Sequence, residues 1–142
     1  MHLNSTHRFQ YFHVNFGFNV HNELGGTHYT IVVENDNSSA NGTVMVVPLK
    51  SADSESSALL EIHERTDVYL GSGIVIMGQG RDKYTIAKVN QMRTIDKMRI
   101  LKPRNSNKDT IYPLDANIRK AMLDKIDKKI LELYVKHENA TN

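Results

Sequence analysis

The stretch Tyr84-Thr85-Ile86-Ala87-Lys88-Val89-Asn90-Gln91-Met92-Arg93-Thr94-Ile95-Asp96-Lys97-Met98-Arg99-Ile100 (residues 84–100) decides how this chain is read. Its first half, from Tyr84 to Val89, is apolar and β-branched, the composition of a strand. With the residues that follow, Tyr84–Met92 is expected as the last long strand. Beyond it stand Arg93, Asp96, Lys97 and Arg99, with Thr94 to shape the turn. An arginine and an aspartate pinned at a strand end form a fixed polar corner, and an ion pair between Arg93 and Asp96 is expected to hold it.

Upstream, Phe9–Phe16 alternates and is rich in aromatics, as a half-buried strand requires. Gly17 and Gly25-Gly26 bracket a bent polar segment, where glycines free the backbone for a tight loop. Tyr29–Val33 is a second strand, followed by a polar loop that ends in the turn dipeptide Asn41-Gly42. Thr43–Leu49 is almost continuously apolar and is expected to be buried on both faces, with Pro48 marking where it leaves the sheet. Ser51–Ser57 reads as a flexible loop, and Leu59–His63, Val68–Leu70 and Ile74–Met77 as short strands between turns. After Pro103 the texture changes. Asp115 is placed to cap a helix running to residue 137, in which Ile118, Met122, Ile126, Ile130 and Leu133 recur at helical spacing and Lys120, Lys125, Lys128 and Lys129 take the other faces. The expected architecture is mainly β with a C-terminal α-helix, a single domain over residues 1–142 with its β-core in 9–101. Short antiparallel strands of this kind close most readily into a small barrel or a strongly curled sheet.

Composition narrows the functional classes. At 142 residues the chain can bury a core without staples, and it has no cysteine for disulfides or thiolate metal sites. That suits a reducing, cytoplasmic setting. No run approaches a membrane span, and the polar Met1–Gln10 lacks the apolar core of a secretory signal. The net charge of +2 excludes a blanket of positive charge but allows a local basic groove, and residues 83–108 carry most of the excess Lys and Arg.

Several motifs fail on inspection. His63-Glu64 begins a zinc-protease pattern, but Asp67 stands where the second histidine belongs. Gly71-Ser72-Gly73 and Gly78-Gln79-Gly80 lack the Gly-Lys-Ser/Thr of a phosphate loop and are read as hairpin turns. The histidines show no converging ligand spacing, so no metal and no cofactor is expected. What remains is a set of polar residues around the β-core: His28, Lys50, Ser51, Thr85, Lys88, Asn90, Gln91 and Arg93.

Three segments together resemble the MazF/PemK (Kid) family, small endoribonuclease toxins of toxin–antitoxin modules. Asn22–Tyr29 is similar to the family's entry into its second strand. Thr43–Ser51 is similar to its Val-Val-Pro-x-Thr-Ser stretch, and Gln91–Lys97 followed by Arg99 is nearly its wording. Order and spacing agree from about Phe9 to Tyr134. The resemblance implies a small SH3-like plasmid-maintenance-toxin barrel, a homodimer, a cognate antitoxin as partner, and metal-independent cleavage of single-stranded RNA. It implies catalytic roles for His28, where the family usually has arginine, for Lys50, where it has threonine, for Ser51, and for Lys88, where the Kid branch has arginine. RNA contacts are implied for Glu23, Asn90, Gln91 and Arg93. Asn90 replaces an acidic residue of that branch, and Asn22 a histidine, with His21 adjacent.

The chemistry is coherent. RNA carries its own nucleophile, the 2′-hydroxyl, so the protein must supply a base, an acid and donors for the charged phosphorane. Histidine can exchange protons near neutral pH, and lysine and arginine can stabilise negative charge. His28 is expected as acid/base and Lys50, Ser51 and Lys88 as phosphoryl donors, in a groove lined by the loops Glu34–Asn41 and Ser51–Ser57. The alternatives are a non-catalytic barrel that binds RNA or one that binds a protein target. A CcdB-like gyrase poison fits less well, since this chain has no tryptophan.

Overall fold

In a computed structural model of the chain, residues 8, 11–17, 26–35, 38, 40–72, 76–77, 81–101 and 116–135 are described. The elements in order are β1 (Tyr11–Asn15), β2 (Thr27–Val32), β3 (Thr43–Ala52), α1 (Glu55–Glu61), β4 (Asp67–Gly71), β5 (Ile76–Met77), β6 (Arg81–Asp82), β7 (Tyr84–Lys88), β8 (Arg93–Asp96) and α2 (Ala116–Tyr134). A 3-10 turn, Val89–Gln91, separates β7 from β8, and a second, Lys97–Arg99, follows β8.

β3 holds the sheet together. One of its edges pairs with β2, from Thr30↔Pro48 to Val32↔Val46. The other is shared in sequence by β8, from Thr43↔Asp96 to Val46↔Arg93, and by β7, from Leu49↔Ala87 to Ala52↔Tyr84. The six-stranded sheet therefore runs β1-β2-β3-β7-β4, with β8 also on β3. All the pairings are antiparallel. Past β8 the chain returns to β1: Val14 bridges Ile100, and the Leu101 N–H donates to the His13 carbonyl at 2.8 Å. This contact curls β1, β2, β3 and β8 into a small barrel-like closure, the mainly β architecture with a C-terminal helix that the sequence implied.

Alternation of side chains across the pleat sorts the core. Phe12, Val14, Phe16, Val32, Val44, Val46 and Ile95 fill the inside of the curl. Ile31, Val47, Leu49, Val68, Ala87 and Val89 face the other way, against Met122 and Ile126 of α2. The helix is fastened at its flanks. Arg8 donates to Asp127 at 2.7 Å, Lys129 to the Glu64 carbonyl at 2.8 Å, and the Tyr134 hydroxyl to the Val89 carbonyl at 3.3 Å.

Five expectations change. Pro48 does not end its strand. It lies in the gap where the β8 ladder has stopped at Val46 and the β7 ladder has yet to start at Leu49, so its missing N–H is tolerated and the strand runs on to Ala52. The run Tyr84–Met92 is two elements, because the 3-10 turn at Val89–Gln91 moves the chain from the C-terminal to the N-terminal half of β3. Leu59–His63 is not a strand, and Ser51–Ser57 is not wholly loop. Ser54 caps a helix by accepting the Ser57 N–H at 3.1 Å, and Glu55–Glu61 is helical. Finally, Arg93 and Asp96 form no ion pair. Three residues apart on a strand they project to opposite faces, and the Asp96 carboxylate instead accepts the Met98 N–H at 2.8 Å, capping the second 3-10 turn. The expected helix cap Asp115 lies outside the described residues.

Lys97 closes the far end of the curl. Its side chain is 4% exposed and donates to the Ser38 carbonyl at 3.0 Å, while its N–H donates to the Gly42 carbonyl at 2.8 Å. Burial lowers its pKa below the ordinary lysine value, partly offset by the Glu34 carboxylate. Phe12, 1% exposed at the centre of the curl, is expected on truncation to Ala to cost about 3–5 kcal/mol. Leu60→Ser, at a residue 87% exposed, should change stability by only about 0.5 kcal/mol or less. Urea unfolding of the two variants checks both.

Candidate functional site

The residues on the inward face of the curl are not all apolar. Val14 pairs with His28, so His28 shares the face of Phe12, Val14 and Phe16. Val46 pairs with Arg93, which puts Arg93 on that face as well. Lys50 alternates with Val46 and Pro48 along β3 and so projects to the same side. The β2–β3 ladder ends at Thr30↔Pro48, and His28 and Lys50 stand two residues beyond it in register. Further along the same face a second apolar cluster begins, formed by Ala52, Ile86 and Ala58 of α1. His28, Lys50 and Arg93 thus occupy a polar strip between two hydrophobic clusters.

Phe16 ties two of these groups together. The Arg93 guanidinium lies over its ring, 4.2 Å from the centroid, and the His28 ring is 6.1 Å away, tilted by 44°. Cation–π contact of this kind fixes a guanidinium without consuming its N–H donors. The hairpin base is tightened beside it. The Phe16 N–H donates to the Gly26 carbonyl and the Gly26 N–H to the Gly17 carbonyl, at 2.8 and 2.9 Å. Gly17 has φ +73°, and a Cβ there would sit 3.2 Å from Nη1 of Arg99, which donates to the Asn15 carbonyl at 3.3 Å. Two arginines therefore approach the end of β1, one over the ring of Phe16 and one against the backbone on either side of it.

The remaining expected residues have other placements. Lys50 Nζ lies 3.5 Å from Oε1 of Glu61, with both side chains 42% exposed, a contact worth about 1 kcal/mol or less. Lys88 also faces the strip, but its ammonium donates to Asp67 at 2.9 Å. Asp67 is a wholly buried carboxylate that also accepts the His63 N–H at 3.0 Å and the Thr66 hydroxyl at 3.1 Å. Lys88 is thereby committed to holding β4 against β7. Ser51 follows Lys50 directly, so alternation sends its hydroxyl to the other face, opposite Thr85; the structure does not bring it to His28. Asn90, exposed, and Gln91, half-buried, sit on the 3-10 turn just before Arg93. Glu23, with His21 and Asn22, lies outside the described residues.

The expected groove needs correction. The loops after β2 and after β3 stand at opposite ends of β3, which spans ten residues, roughly 30 Å of extended chain. They cannot flank one narrow groove. The strip is bordered instead by the β1 end, the C-terminal half of β3, the 3-10 turn at 89–91 and α1. Sequence reasoning placed Arg99 in the polar corner without giving it a role, and it missed Phe16, Asp67 and Glu61 as site residues. Of these three only Phe16 left a signal, its place in the Phe12/Val14/Phe16 alternation. On the α1 flank the Tyr69 hydroxyl, which shares the Lys50–Ile86 row, is raised above its usual pKa by burial, then by the charge and hydrogen bond of Glu55 and by Tyr84. Among the described residues no cluster of three His, Cys, Asp or Glu side chains converges as a metal site. No helix among them is long and apolar enough to cross a membrane.

A family model described as PemK-like, MazF-like toxin of type II toxin-antitoxin system matches residues 7–133. No individual curated protein matches the chain significantly.

The buried carboxylate at position 67 yields a stability test. Asp67→Ala strands the Lys88 ammonium and is expected to cost about 3–5 kcal/mol in urea unfolding. Adding Lys88→Met should recover part of that loss, since no unpaired buried charge then remains.

Proposed function

Because the chain belongs to the PemK-like, MazF-like toxins of type II toxin–antitoxin systems, we propose that it is an endoribonuclease that cuts single-stranded RNA, messenger RNA included, by attack of the substrate's own 2′-hydroxyl. The observation that carries this reading is the polar strip, with His28, Lys50 and Arg93 on one face of the sheet between two apolar clusters. A strip of that composition suits a bent RNA backbone. Lys50 and Arg93 offer cationic donors to a phosphate and to the phosphorane formed from it. Arg93 is positioned for this task over the ring of Phe16. His28 exchanges the proton that one of the reacting oxygens loses or gains.

The 2′-oxygen attacks the adjacent phosphorus, the bond to the 5′-oxygen breaks, and the products carry a 2′,3′-cyclic phosphate and a free 5′-hydroxyl. None of these steps calls for a metal or a covalent enzyme intermediate. Asn90 and Gln91, beside Arg93 on the 3-10 turn, are suited to read the edges of unstacked bases. Lys88, tied to Asp67, acts through the position of β7. Glu23 is retained as an RNA contact in the β1–β2 connection. We further propose that the toxin works in the cytoplasm as a homodimer and is held inactive by a protein antitoxin.

Purified protein incubated with a long RNA in EDTA is expected to give discrete, sequence-dependent cuts with cyclic phosphate ends. RNA that is retained but uncut supports a non-catalytic binder instead. His28→Ala should lower kcat by about 100-fold or more with the melting temperature unchanged. Ser51→Ala, on the other face of β3, should leave kcat within about threefold, inside the range of an indirect effect.

A further inference from the structure

Cleavage through the 2′-hydroxyl moves two protons, one off O2′ and one onto O5′. A single imidazole serves one of these transfers at a time, and the sequence offered only His28 on this face. The structure supplies a second group. α1 is a short helix whose orientation breaks the usual rule for buried faces. Its leucines are turned outward, Leu59 54% and Leu60 87% exposed, while Glu55, Ala58 and Glu61 recur every three residues along the side that meets the sheet. Ala58 is buried on Ala52 and Ile86 and anchors that side. One turn before it, Glu55 lies near enough to the Tyr69 hydroxyl for its charge to help raise that group's pKa; one turn after it, Glu61 reaches Lys50. A helix that exposes leucine and points carboxylates at the sheet violates local patterning, and such violations concentrate at functional sites.

Among the described carboxylates nearby, Asp67 is buried under three donors and Asp53 is paired with Lys83, while Glu55 stands by the Tyr69 hydroxyl and helps to raise its pKa. Glu61 is different. Its only polar partner among the described residues is Lys50, at 3.5 Å, longer than a good charge-assisted hydrogen bond, and its side chain is 42% exposed. It is an accessible proton acceptor on the face that carries His28, Lys50 and Arg93.

Resting on the ribonuclease reading above, we propose that Glu61 is a catalytic residue, the general base of the reaction. Its carboxylate takes the 2′-hydroxyl proton as the O2′–phosphorus bond forms. The bond from phosphorus to O5′ breaks, and the His28 imidazolium gives its proton to the departing O5′. Lys50 stands between the carboxylate and the phosphate and steadies both. Protonated Glu61 and neutral His28 then exchange protons with water.

The test compares wild-type protein, Glu61→Gln and Glu61→Asp, all of native melting temperature, for RNA cleavage in EDTA across pH, together with binding of a single-stranded DNA of the same sequence, which lacks the nucleophile. Glu61→Gln is expected to lower kcat by about 100-fold or more, to lose the acid limb of the pH–rate profile, and to bind the DNA within about threefold of wild type. Glu61→Asp should restore part of the rate and the acid limb. A Glu61→Gln protein that cuts within about threefold of wild type, or only binds more tightly, overturns the proposal and makes the carboxylate a competitor of phosphate for Lys50. A reduced rate with the acid limb intact overturns it too. These results leave the ribonuclease reading standing; a wild-type protein that makes no cuts overturns both.

Discussion

The structure depends on the divided pairing of β3. One strand of ten residues supports β8 with its first half and β7 with its second, on the same edge, while β2 lies along the other. A flat sheet cannot do this with a single continuous partner, so the chain interrupts itself at Val89–Gln91 and re-enters the sheet at Arg93. Everything functional follows from that interruption. It places Arg93 opposite Val46, on the inside of the curl, and it sets Asn90 and Gln91 beside the strip as a turn rather than as ladder residues. Pro48 fits the same scheme, since it falls where neither β7 nor β8 is in register with β3.

Charge is handled in two ways on this scaffold. Where it is structural, it is buried and partnered. Asp67 accepts from Lys88, Thr66 and a backbone N–H, and Lys97 donates to a loop carbonyl beneath the surface. Such groups are costly to desolvate, and hydrogen bonds of this kind offset the cost. Along the strip the charges are half exposed: Lys50 touches Glu61 at 3.5 Å, and Arg93 lies over an aromatic face. A contact as long and as exposed as that between Lys50 and Glu61 can give way to another anion at little expense.

The misreadings have a common physical origin. Leu59, Leu60 and Ile62 look like strand material because apolar residues are assumed to be buried, whereas the packing of Ala58 turns the leucines to solvent. Ser54 is the local mark of the helix start, and the sequence reading took it as part of a loop. The Arg93–Asp96 pair was inferred from nearness in sequence, which on a strand is misleading, because three residues apart means opposite faces. Ser51 was grouped with Lys50 by the resemblance, while strand alternation places the two on opposite faces of β3. Asp67 was noticed only as a failed zinc ligand, since nothing local reveals that Lys88, twenty-one residues later, will be its partner.

By itself the sequence determined the class of fold, the family, the amphipathic C-terminal helix and three strands, read at Phe9–Phe16, Tyr29–Val33 and Val68–Leu70 and found at Tyr11–Asn15, Thr27–Val32 and Asp67–Gly71, because hydrophobic periodicity and motif order are local and survive being read one residue after another. Tertiary structure alone decided which polar residues meet. Whether Lys50 faces Glu61 or solvent, whether Lys88 serves a phosphate or Asp67, and whether Arg93 finds Asp96 or Phe16 are fixed by strand register and by the rotation of a short helix. Those depend on the packing of distant apolar side chains, and no local pattern encodes them.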